Sequence, residues 1–135
     1  SIEQTEDQLD HRDRERKRVK GTVLRVVRDS QLAQMVKAIY NHECPVCGTA
    51  LPTKRGLYSE GAHIRPLGRP HNGDDSLANL ICLCPNHHVM FDKGSFSVLE
   101  DFSLVGAVGG SLKVDHRHHI DMENFDYHRS CHGYD

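Results

Sequence analysis

Residues 62–94 read AHIRPLGRPHNGDDSLANLICLCPNHHVMFDKG, and this stretch decides the fold. Ala62-His63-Ile64-Arg65-Pro66 closes an extended run from Leu57 to Leu67 that supplies one strand. The next residues, 67–75 (LGRPHNGDD), are turn chemistry throughout. Leu80 to Cys84 is a second short strand by its apolar run. Pro85 suits the first turn of a helix over about residues 86–93, because its missing N–H has no helical partner to lose there. Gly94 then stops the helix from the C′ position. The order is strand, long loop, strand, short helix.

The cysteines stand at 44, 47, 82, 84 and 131, and eleven histidines accompany them. An odd number without any sign of secretion disfavours a disulfide framework. Cys44 and Cys47 form C-P-V-C-G, a knuckle whose thiolates point at one ion. Cys84 and His87 repeat the spacing, so the expected tetrahedral zinc set is Cys44, Cys47, Cys84 and His87. Two alternatives stand beside it: a redox C-x-x-C, and Cys82 in place of Cys84. Cys82 lies in the run Leu80-Ile81-Cys82-Leu83 and reads as a core thiol. Cys131 receives no role.

Outward from this centre, residues 1–20 interleave acidic and basic side chains, as a solvated helix or frayed tail does. Val23, Leu24, Val26 and Val27 suit a short strand or one helix face. Asp29-Ser30 offers an N-cap for a helix over 31–41, where Leu32, Met35, Val36, Ile39 and Tyr40 recur at helical spacing and read as core. Residues 95–114 alternate like one or two further strands, and 121–131 suits a last helix. His116, His118 and His119 read as surface histidines, because alternation along a strand splits them between two faces.

A chain of 135 residues suits one domain. We divide it into a charged segment at 1–29, a core at 30–100 and an extension packed on it at 101–135. No apolar run approaches the roughly 20 residues of a membrane span, and no signal peptide is visible, which predicts a cytoplasmic protein. The chain opens at Ser1, as a processed chain or a piece of something longer does. The net charge of -2 argues against coating nucleic acid by bulk charge.

Three elements, A-H-I-x-P, D-S-L-x-N-L and C-P-x-H-H-x-x-F-D, together resemble the HNH nucleases, also called the ββα-metal or His-Me finger fold. More narrowly they resemble the HNH domains of McrA-like, modification-dependent restriction endonucleases, over about residues 40–100. The resemblance implies an α+β fold: a small ββα-metal finger core with a structural zinc, flanked by an N-terminal helical segment and a C-terminal β/α extension. It implies a metal-dependent DNA endonuclease of a restriction or defence system, with His63, Asn79 and His88 as the H, N and H. His63 is then the candidate general base, since an imidazole takes up a proton at neutral pH. Its other ring nitrogen needs a partner, expected to be a backbone carbonyl across the loop. Asn79 ties the loop to the strand. His88 follows His87 and points about 100° away on a helix, so that one faces the zinc and the other the cleft. The resemblance places the catalytic divalent ion, Mg²⁺ or Mn²⁺, Co²⁺ or Ni²⁺, on His88.

One position departs from the wider family, where an aspartate or histidine often precedes the base as a metal ligand. Here it is Ala62, which coordinates nothing. Asp92, one turn after His88, is a candidate to supply the missing carboxylate, with a capping role as the alternative. Glu60 and His71 are weaker candidates, and each reads first as a polar loop residue. Lys54, Arg55, Arg65 and Arg69 give the 53–72 segment a positive excess suited to holding DNA phosphates, the alternative being a solvated loop. A catalytically inactive, zinc-stapled DNA-binding module is the competing function, with Ala62 as its support. A single ββα site cuts one strand, so double-strand cleavage calls for a homodimer, and base recognition calls for a fused or separate reader domain.

Overall fold

The computed structural model describes residues 31–135, and Val23–Val27 and the Asp29-Ser30 cap lie outside them. Helix α1 occupies 31–39. Three antiparallel strand pairs follow among the described residues: β1 (Leu51–Thr53) with β2 (Gly56–Tyr58), β3 (Glu60–His63) with β4 (Leu80–Leu83), and β5 (Phe96–Val98) with β6 (Leu104–Gly106). Helix α2 (Pro85–Asp92) follows β4, and helix α3 (Met122–His132) closes the chain. The result is a small α+β structure with β3, β4 and α2 at its centre.

The run 57–67 is not one strand. Leu57 pairs with Pro52 in the first hairpin, whereas Glu60 pairs with Leu83 in the second. Ser59, between them, is buried, and its hydroxyl lies 2.8 Å from His42 Nδ1. That bond holds the chain where it leaves one sheet for the next. Strand β4 is buried at all four positions, as expected of a strand covered on both faces. Gly61 is needed where α1 crosses β3, because a Cβ there would come within 2.9 Å of Ala33 Cβ.

Helix α2 starts as its sequence dictates. Cys84 is the N-cap, Pro85 fills the first turn, and Gly94 (φ 80°) ends the helix in the left-handed region. Its buried residue, Phe91, is the hub of the core. It lies 5.4 Å from Phe96 and 6.3 Å from Phe125, both fully buried, between rings at favourable tilted and edge-on angles. Each such burial stabilises the fold by roughly 1.5–3 kcal/mol. Phe125 ties α3 into this core alongside Ile64, Ile81 and Leu83. A second cluster of Val36, Tyr40, Leu80 and Cys82 seats α1, and Cys82 is a core thiol.

Two readings of individual residues are corrected. Met35 is half exposed, so the core stripe of α1 is Val36 and Tyr40 with partly buried Leu32 and Ile39. His118 is no surface histidine. A turn at 116–117 folds it inward, where Nδ1 lies 2.6 Å from Tyr40 Oη and Nε2 2.9 Å from the Leu77 carbonyl. His116 and His119 are exposed. Among the described residues no helix is long and apolar enough to cross a membrane.

Candidate active site and metal centre

The knuckle after α1 and the start of α2 meet. One ligand atom from each of Cys44, Cys47, Cys84 and His87 falls within 4.8 Å of the others. Around a tetrahedral zinc with Zn–S of about 2.3 Å and Zn–N of about 2.05 Å, S···S edges come to roughly 3.8 Å and S···N edges to roughly 3.6 Å. The Cys47–Cys84 sulfur separation is 3.8 Å, and His87 Nδ1 lies 3.3 Å from Cys84 Sγ and 3.9 Å from Cys44 Sγ. The four residues therefore fit such an ion. Burial pushes the Cys44 thiol up to about 12, so a thiolate there needs a cation beside it. Burial also lowers the His87 pKa, which favours the neutral imidazole that metals bind.

His88 points the other way. Its Nδ1 lies 2.7 Å from Glu60 Oε1 and its Nε2 3.2 Å from Asp92 Oδ2. Burial opposes a charged His88, but the two carboxylates outweigh it and raise the pKa to about 8. Glu60 stands on β3, not in a loop. Its other oxygen accepts from Tyr58 Oη at 2.6 Å. Burial raises the Glu60 pKa, yet the bonds from Tyr58 and His88 bring it below the ordinary value. Glu60 and Ala62 share one face of β3, Ala62 being buried in the core, so strand alternation returns a carboxylate to the face where Ala62 has none.

His63, at the end of β3, meets Asp75. His63 Nε2 lies 3.0 Å from Asp75 Oδ1, which gives one ring nitrogen a carboxylate partner. As a carboxylate only accepts, Nε2 carries the hydrogen in this bond. Asn79 is fully buried and its amide spans the loop. Oδ1 accepts from the Arg65 amide at 2.9 Å, and Nδ2 donates to the Arg65 and Asp74 carbonyls at 2.8 Å each. One side chain thus fixes the backbone beside both His63 and Asp75.

The cations occupy two places. Lys54 and Arg55 are exposed at the turn of the β1–β2 hairpin, whereas Arg65 and Arg69 lie in the β3–β4 loop. Arg69 is exposed. Arg65 is held, with Nε donating to the His71 carbonyl at 2.6 Å and its guanidinium 4.1 Å from the Tyr127 ring centre. Sequence reasoning missed Asp75, which was read only as part of a turn, and it missed Tyr127. D-S-L-x-N-L contains Asp75, but nothing in spacing pairs it with His63.

Residues 44–99 match the HNH endonuclease family. No curated protein matches the chain by sequence. Among solved structures, a "Modification dependent TagI restriction endonuclease" superposes with a TM-score of 0.73 at 47% identity, over 75% of this chain. This chain spans 37% of that one. Residues 44–99 are an HNH endonuclease domain with a Cys3His cluster able to hold a metal.

Proposed function

We propose that this domain hydrolyses phosphodiester bonds of DNA, as the nuclease unit of a restriction system. On this reading residues 30–100 form the nuclease core and 101–135 its extension. The observation that carries it is the pairing of two histidines in different electrostatic settings, His63 on Asp75 and His88 between Glu60 and Asp92.

His63 takes the proton of the attacking water. Asp75, bonded to Nε2, holds the ring and stabilises the imidazolium that forms. Asn79 keeps both residues in register through its three backbone bonds. His88 and Asp92, one helical turn apart, would hold a divalent ion, while Glu60 orients the His88 ring from its other nitrogen. An imidazole with carboxylates suits Mn²⁺, Co²⁺ or Ni²⁺, and the carboxylates also suit Mg²⁺. When bound, that ion supplies charge stabilisation at the scissile phosphate and at the leaving oxygen. Zinc held by Cys44, Cys47, Cys84 and His87 would be structural, tying the knuckle to the start of α2 and so setting the direction of His88. Lys54, Arg55, Arg65 and Arg69 hold phosphates without reading bases. The name of the TagI relative suggests modified DNA as substrate, with recognition lying outside these residues.

Supercoiled plasmid incubated with Mg²⁺, Mn²⁺, Co²⁺ or Ni²⁺ tests this reading. Nicking with at least one ion, abolished by EDTA and by His88→Ala, is expected. No nicking with any ion leaves the zinc-stapled, non-cutting DNA-binding module, the reading that Ala62 favours.

A further inference from the structure

Helix α3 lies outside the matched residues 44–99, yet it grips the β3–β4 loop at two points. Near its start, Asn124 Nδ2 donates to the Ala78 carbonyl at 3.1 Å, and the Asp121 amide donates to the same carbonyl at 3.0 Å. One turn on, Tyr127 closes a small cluster. Its hydroxyl lies 2.6 Å from His71 Nδ1, and the two rings meet edge to face, 5.7 Å apart. The Arg65 guanidinium lies over the Tyr127 ring and donates from Nε to the His71 carbonyl. The loop between is folded back on itself, with the Gly73 amide bonded to the Pro66 carbonyl at 2.7 Å. Arg65 stands two residues after His63, and Asp75 two residues after Gly73.

We propose that Tyr127, acting through Arg65 and His71, is a positioning residue for the His63–Asp75 pair, so that the nuclease site is completed by the C-terminal helix. The inference rests on the nuclease reading above. Tyr127 supplies two separable contacts to the loop. Its ring face carries the Arg65 cation, a contact worth most where water is partly excluded. Its hydroxyl fixes the His71 ring and thereby the carbonyl that Arg65 Nε uses. Asn79 ties the loop ends together from inside, and Tyr127 holds the far bend from outside. Without Tyr127 the bend loses its only aromatic platform among the described contacts of Arg65, and Asp75 is left to its own bonds and to the Asn79 bond at the neighbouring Asp74 carbonyl.

Displacements of about 1 Å at a reacting group cost on the order of 100-fold in rate. In the full chain, Tyr127→Ala is therefore expected to lower kcat for plasmid nicking with Mn²⁺ roughly 10- to 100-fold, with KM within about threefold. Tyr127→Phe keeps the ring under Arg65 and loses only the His71 bond, so its kcat falls between. Bound zinc stays at the wild-type level in both. The ¹⁵N signals of the His63 ring, assigned by comparison with His63→Gln, report the geometry without cutting. They are expected to move in Tyr127→Ala and to move less in Tyr127→Phe.

The proposal is overturned if Tyr127→Ala nicks within twofold of wild type, or if its rate falls while the His63 signals stay in place. Should the Ala variant lose its zinc and unfold, Tyr127→Phe decides: unchanged kcat and unchanged His63 signals overturn the proposal. A wild-type protein that nicks nothing refutes the nuclease reading, and the His63 signals still decide whether Tyr127 positions the pair.

Discussion

His128 should make the fold acid-labile by an amount that the structure fixes. The ring is 4% exposed and lies flat on Phe91, with centroids 3.7 Å apart. Nε2 donates to the Phe91 carbonyl at 2.9 Å, so Nδ1 is the acceptor for the Ser97 hydroxyl at 2.7 Å. Both nitrogens are satisfied by the neutral ring. Burial, the largest cause, depresses the pKa to about 4 from an ordinary 6.5. The unfolded chain therefore binds a proton at His128 near pH 6.5 that the folded one refuses until about pH 4. The stabilising contribution is complete above pH 6.5 and is lost as pH falls toward 4. Linkage gives about 2 kcal/mol lost between pH 7 and pH 5, a sizeable share of a typical domain's stability. The assay is urea unfolding of zinc-loaded protein at both pH values, wild type against His128→Gln. The glutamine keeps a donor and an acceptor and does not titrate, while the protonation of zinc ligands and of other histidines is common to both proteins. Wild type is expected to lose about 2 kcal/mol more than the variant over that interval. Equal losses would refute the reasoning.

Other consequences are more local. Cys44→Ser removes a buried thiol of the Cys3His cluster and, on the zinc assignment, is expected to release one equivalent of zinc and lower the thermal midpoint, measured by metal release and circular dichroism. A folded, zinc-loaded variant would contradict the ligand set. Asn79→Ala leaves the Arg65 amide and two carbonyls without their partner. It should cost roughly 2–4 kcal/mol in denaturant unfolding, one to three kcal/mol being usual for a single buried group left unpaired. Gly73→Ala places a Cβ 2.1 Å from the Arg65 carbonyl oxygen, a clash with backbone that the loop must open to relieve. Its expected signature is a loss of stability on the order of 1–3 kcal/mol and faster proteolysis between residues 65 and 75.

The sequence was most informative where one residue type has one physical use. Pro85 and Gly94 bracket α2 because one lacks an N–H and the other tolerates φ near 80°. The repeated two-residue spacing of Cys44/Cys47 and Cys84/His87 is the reach of a tetrahedral ion, and the four side chains converge. Reading failed where tertiary partners set the outcome. The strand over 57–67 breaks at Ser59, because its neighbours pair with different strands and its hydroxyl meets His42. His118 turns inward through a bond to Tyr40, 78 positions away, which no local period reveals. Asp75 lies in turn-forming sequence, so its side chain carried no signal until folding set it beside His63. Glu60 meets His88 from 28 positions earlier in the chain, a contact that no local spacing signals. Tyr127 and His128 belong to a helix legible only as a helix. Their partners in the loop and in α2 give them meaning.

On the proposed mechanism, His63 activates water beside Asp75. The most direct measurement is single-turnover nicking of supercoiled plasmid with Mn²⁺ by wild type and His63→Ala, each shown to carry one zinc. A loss on the order of 100-fold or more in the variant, with plasmid binding within about threefold, is predicted from the usual worth of a positioned general base. A His63→Ala protein that nicks at the wild-type rate would contradict the account.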